Sequence, residues 1–212
     1  MKIKKSTLLL LAILCVGVMF LTGCTAAWVS SLTGALLPAA KAAIMAIATF
    51  ATALKGKTLS EAFVDAVNKV ASDASTTIAN VMSLVQEWIT DPTTTTLGKI
   101  NDLLNALVAN LGGIMSGVSI SDPATTSKLT LLISLAVAAV QAVLGVIPVI
   151  QTALPALPTM SDAQKLSLAN RTKKRLQAAH QELVEEYATI RTETTANADV
   201  NAALAALPAQ LA

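Results

Sequence analysis

Residues 129–150, LTLLISLAVAAVQAVLGVIPVI, decide the fold of this chain. Their 22 positions carry no formal charge, and Ser134 and Gln141 are the polar interruptions after Thr130. That length is enough for a helix to cross a hydrocarbon core. A helix apolar on nearly every side is equally the central helix of a bundle. Its small residues Ala138, Ala142 and Gly145 let neighbouring backbones approach closely in either setting. Against insertion stand Pro148, the lack of a Trp or Tyr belt, and the lack of a basic cluster beyond Lys128 at either end. The reading adopted is a buried core helix over 128–147. The earlier apolar stretch 31–54 carries the same ambiguity and takes the same reading.

Outward from that stretch, the pattern predicts an all-α chain, a helical bundle of about five helices. Alanine, leucine, valine and isoleucine dominate, with two Trp, three Phe and one Tyr in 212 residues, and no segment alternates with period two between hairpin turns. The first helix, 31–54, ends at Lys55-Gly56-Lys57, which suits a helix C-terminus. Thr58-Leu59-Ser60-Glu61 reads as a capping box opening a second helix to about residue 89. Its expected buried stripe is Phe63, Val67, Val70, Ala74, Thr77, Val81, Leu84 and Trp88. Asp91-Pro92 is expected to cap a third helix, secure from Leu97, with the stripe Leu97, Ile100, Leu104, Leu107, Leu111 and Ile114. Asp122-Pro123 repeats that device before the fourth helix, and coincidence of capping chemistry explains the echo better than duplication.

Pro148, Pro155 and Pro158 predict an extended or turning connector over 149–160, so that 31–148 forms an apolar bundle and 161–212 a charged amphipathic helix and tail packing on it. Ser161-Asp162-Ala163-Gln164 gives a capping-box start, and Leu176, His180, Leu183, Tyr187 and Ile190 follow a four-three rhythm. Arg171, Lys173, Lys174 and Arg175 precede Glu182, Glu185 and Glu186, an order that opposes the helix dipole and points to a partner or neighbouring helix.

The first 24 residues, MKIKKSTLLLLAILCVGVMFLTGC, have the grammar of an export signal: a basic start at Lys2, Lys4 and Lys5, an apolar core, and small residues before a cysteine. Leu21-Thr22-Gly23-Cys24 resembles the lipobox of bacterial lipoproteins. That resemblance implies signal-peptidase recognition through Leu21, Thr22 and Gly23, removal of residues 1–23, lipidation (palmitate-type acyl chains) on Cys24, and a lipidated tether over 24–30. The membrane is then the partner, through the acyl chains. Each buried CH₂ contributes about 0.8 kcal/mol, so two or three chains anchor far better than one. In families with an outer membrane, Thr25 after the cysteine permits sorting outward. Otherwise the chain sits on the outer face of the cell membrane. Cys15 leaves with the signal, so no intrachain disulfide is expected.

Without its leader the chain keeps 12 basic and 13 acidic residues, a net charge of −1, and no basic surplus that would recruit nucleic acid. No catalytic constellation is evident, and the chain is not read as an enzyme. His180 is alone and lies within an apolar rhythm, the glycines at 112, 113 and 117 follow no strand, and the serines have no Gly-x-Ser-x-Gly setting. No cofactor beyond the covalent lipid and no metal are expected. Trp28 reads as an interfacial anchor or as packing against the first helix. Arg171, Lys173, Lys174 and Arg175 read as a contact for a partner or anionic lipid, or as a solvated helix face. Two functions follow: a lipid-anchored cell-envelope protein with a structural or binding role toward an envelope protein partner, or a membrane-active protein inserting helices 31–54 and 128–147 to form a pore or perturb a bilayer.

Overall fold

A computed structural model describes residues 32–116 and 120–211, and every named element among them is helical. A π-helical turn, Leu32–Leu36, leads into α1 (Leu37–Ala53). α2 (Glu61–Thr90), α3 (Thr94–Gly113) and α4 (Pro123–Leu144) follow, then the short α5 (Ile147–Ala153), the long α6 (Asp162–Thr192) and α7 (Ala198–Ala205). The chain is all-α.

Helices α1 to α4 close a ring in which each packs on the next and α4 packs back on α1, the arrangement of an up-down-up-down four-helix bundle. α6 lies over α4 and against the π-helical turn and α1, and α7 fills in beside α1 and α6. This layering accounts for the uneven polarity of the sequence. α1 and α4 carry a third neighbour that the ring alone would not give them, so each keeps one face open to water.

What remains is a narrow line on each helix. On α1 it comprises Lys41, Met45, Thr49 and Thr52. On α4 the exposed line includes Ser127, Leu131 and Ala138, and all three polar interruptions of the apolar run, Thr130, Ser134 and Gln141, lie on it. Their spacings of four and seven residues put them on one helix face. The stretches Leu32–Ala53 and Pro123–Ala156 are long and apolar enough to cross a membrane by length and composition alone. In the bundle, 61% and 50% of their most apolar 18 residues are buried.

The α3 stripe lies buried at all six expected positions. The α2 stripe differs along one edge: Ala71, Ile78 and Val85 are buried, whereas Val70, Thr77 and Leu84 are only partly so. The observed rows, Val64-Ala71-Ile78-Val85 and Val67-Ala74-Val81-Trp88, each repeat every seven residues, the seam of two helices packed nearly parallel.

Several helix ends fall elsewhere than the sequence suggests. Ser60, not Thr58, caps α2 by accepting the Phe63 amide, and Glu61 instead pairs with Lys55 at 2.6 Å. Gly56 turns the chain between the two helices at φ 71, a left-handed conformation that glycine adopts without strain. Thr93, not Asp91, caps α3, by accepting the Thr96 amide, and α3 is already regular from Thr94. The expected Asp122 cap on α4 is present, so the two Asp-Pro pairs serve different ends. The segment 149–160 is not extended throughout: Pro148 sits in the first turn of α5, and a 3-10 turn, Leu154–Ala156, follows it. Proline lacks an N–H that a first turn does not use, so it starts a helix as readily as it stops one.

A polar clasp ties three segments together at the end of the bundle where α4 begins. The hydroxyls of Thr58 and Thr125 lie 2.9 Å apart in a hydrogen bond, and Lys57 meets Asp199 at 2.8 Å. Thr125, through its hydroxyl and amide, and the Asn197 side chain hydrogen-bond to Asp122 and hold its carboxyl below the usual carboxylate range. Among the described residues Lys128 is the one charged residue in the buried set, 3% exposed, and its ammonium donates to Glu193 beyond α6. Glu193→Ala is expected to destabilise the fold by about 1–3 kcal/mol, because a buried donor then lacks its acceptor. Lys128→Met in the same background is expected to restore most of that loss, since it removes the buried ammonium that Glu193→Ala leaves unpaired. Denaturant melts of the single and double variants check this, and additive losses would contradict it.

The tail is tied down. Tyr187 Oη donates to the Pro208 carbonyl at 2.9 Å, Arg191 Nε to that of Leu207 at 3.1 Å, and Leu207 and Leu211 are buried.

Candidate functional site

The basic stretch of α6 acquires a shape in the fold. Ser161 and Gln164 form the expected capping box, with the Ser161 amide donating to Gln164 Oε1 at 2.9 Å and the Gln164 amide to Ser161 Oγ at 3.3 Å. That fixes where α6 starts and hence which residues face α5. Leu168, Arg171, Thr172, Lys174 and Arg175 then line one wall of a cleft of about 370 Å³, and Val146 and Val149 line the other. Thr172 is 3% exposed and lies at the base, whereas Arg171, Lys174 and Arg175 are exposed at the rim. Val149 is among the few large apolar side chains left exposed, at 36%, and Leu166 is another, at 55%.

Three of the four predicted cations are therefore brought together. Lys173 is not: it is half-buried and takes no part in the cleft. Arg171, Lys174 and Arg175 form no ion pair among the described residues, and no acidic side chain lines the cleft. The cleft is thus amphiphilic, with an apolar wall on the α5 side and uncompensated positive charge at its rim. The sequence showed the cations but not the apolar wall, because three prolines separate Val146 from α6 and two separate Val149 from it.

The acidic half of α6 is a separate place. Glu182 and Glu186 edge a smaller cleft of about 120 Å³ with Leu135, Ala138, Ala139, Ala142, Ala179 and Leu183, while Glu185 accepts from Gln181 at 2.8 Å. His180 is partly buried, and its Nε2 has no hydrogen-bond partner among the described residues. Among those residues no three His, Cys, Asp or Glu side chains gather as a metal site would require. A third cleft, about 660 Å³, opens between α2 and α3 and is lined by Ser60, Phe63, Val67, Val70, Asn110 and Gly113 among others, without a charged group.

Leu21, Thr22, Gly23, Cys24 and Trp28 lie outside the described residues. Their bundle-side continuation is visible: Leu32 is buried and lines, with Val85, Leu97, Val146, Ile147 and Leu176, a void of about 10 Å³. That void is about one water in size, too small for an apolar ligand. Val146 belongs to both this void and the basic cleft, so the chain enters the bundle beside the cleft. No family model matches the chain, and neither the curated proteins nor the solved structures hold a significant match to it.

Proposed function

We propose that this chain is an exported helical bundle, held to a membrane by acyl chains on Cys24 and serving the cell envelope in a structural or binding role. The observation that carries the reading is a conjunction. A leader ending in Leu21-Thr22-Gly23-Cys24 precedes a body whose two most apolar helices are covered by their neighbours and keep their polar residues on the exposed lines. Such a body has no need of the bilayer to bury α1 and α4, so attachment falls to the lipid. The chemical form of the N-terminus tests this. Mass spectrometry of the protein extracted from membranes is expected to find residues 1–23 missing and Cys24 carrying a diacylglyceryl group and an amide-linked acyl chain. An intact, unmodified 1–24 peptide would contradict the reading.

The second reading, insertion of 31–54 and 128–147 into a bilayer, draws on the apolar length of those stretches and on Met45 and Leu131, exposed at 44% and 40%. It asks Lys41, Ser134 and Gln141 to leave water, and supplies no partner for them.

A further inference from the structure

The cleft between α5 and α6 lies at the end of the bundle from which the N-terminal tether departs. α4 runs about 33 Å from the clasp at its start to Gly145, so the cleft and the clasp sit at opposite ends. α1 runs the other way, and its preceding turn begins at Leu32 beside Val146. Seven residues lie between Cys24 and Leu32, eight backbone steps with a reach of at most about 29 Å. An acylated Cys24 thereby holds this end of the bundle within one short tether of a bilayer.

We propose that the Val146–Val149–Arg171–Lys174–Arg175 cleft seats the headgroup of an anionic phospholipid in the membrane to which Cys24 tethers the chain, an assignment that rests on the lipid-anchor reading above. The chemistry matches at three points. Arg171, Lys174 and Arg175 offer unpaired donors to a phosphate, with two guanidinium forks suited to bidentate contact. Val149 and Leu168 offer apolar surface to the start of an acyl chain. The cleft holds no carboxylate to repel the anion. The molecule as a whole is close to neutral without its leader, so general charge attraction would not direct this end toward an anionic surface, whereas a local cluster does. The basic-before-acidic order from Arg171 to Glu186 acquires a reason: it turns the cationic cluster to the membrane and carries Glu182, Glu185 and Glu186 away from it.

The test uses the full chain, processed and reconstituted in nanodiscs, with Val149→Trp as a reporter read against the parent protein, whose own tryptophans supply the background. Brominated phosphatidylglycerol is expected to quench the reporter, and brominated phosphatidylcholine at the same fraction to quench it at least several-fold less. Arg171→Gln, Lys174→Gln and Arg175→Gln together are expected to abolish the difference while circular dichroism shows the helix content retained. Equal quenching by both lipids, or none beyond the parent, would overturn the proposal. Phosphatidylglycerol quenching that survives the triple variant would also overturn it. The mass of Cys24, measured on the same sample, separates the two readings. Acylated protein without selective quenching sinks the cleft alone, and selective quenching on unacylated protein sinks the anchor while the headgroup site stands.

Discussion

Trp88→Ala is expected to cost about 3–5 kcal/mol, a large share of the roughly 5–15 kcal/mol that holds a domain of this kind together. At about 2–4 °C per kcal/mol the melting temperature falls by roughly 6–20 °C. Trp88 is 1% exposed near the end of α2, on the buried seam with Val81 and Val85. The effect is large because of what surrounds it. Only Phe50, Phe63 and Tyr187 accompany Trp88 as buried aromatics among the described residues, and the rest of the core is alanine, leucine, valine and isoleucine. Short side chains in helices already packed face to face have little freedom to collapse into the hole, and cavity cost grows with the volume left unfilled. Trp88→Phe keeps most of the volume and should lose well under half as much. Thermal melts of both variants measure this, and a loss below about 1 kcal/mol for Trp88→Ala would show that the end of α2 is not packed as described.

Cys24→Ala is expected to remove acyl labelling altogether. Two effects follow from the one substitution. The leader is retained, because cleavage in lipoproteins follows lipidation of the cysteine. Attachment then rests on an apolar leader of 23 residues in place of two or three acyl chains, so extraction behaviour changes with it. Palmitate labelling and gel mobility of the wild type and the variant report both. Labelling that persists in Cys24→Ala would place the lipid elsewhere, and an unlabelled wild type would remove the anchor from the account.

The two outcomes differ in how far they could be read from the chain. The α3 seam could be read in full, since Leu97, Ile100, Leu104, Leu107, Leu111 and Ile114 keep one unbroken three-four spacing, with Leu103 and Val108 falling beside it as partly buried neighbours. On α2 apolar or small residues sit at 70 and 71 and again at 84 and 85, and periodicity alone left the edge undecided. Ile78 beside Thr77 was the residue that favoured the true row. The caps of α2 and α3 fall elsewhere for a different reason, whereas those of α4 and α6 stand where expected. Thr58 and Ser60 both precede plausible helix starts, and tertiary partners chose between them: Thr125 takes the Thr58 hydroxyl and Lys55 takes Glu61. Lys128 gave no local sign of burial, because its partner Glu193 lies 65 residues away.

The candidate site was half legible. Arg171, Lys174 and Arg175 stand out as a charge cluster, yet their significance depends on Val146 and Val149, which reach them only because Pro148 starts a helix where a connector was expected. The polar line Thr130, Ser134 and Gln141 was present in the sequence throughout. It becomes informative once the neighbours of α4 are known, because it marks the only face that they leave open.

Attachment through the lipid alone requires that α1 and α4 be covered by protein. Size-exclusion chromatography with light scattering on residues 25–212, produced without leader or lipid and kept free of detergent, tests that most directly. A monodisperse species of defined mass with helical circular dichroism is expected. Aggregates that only detergent disperses would contradict it, and would place both helices against lipid.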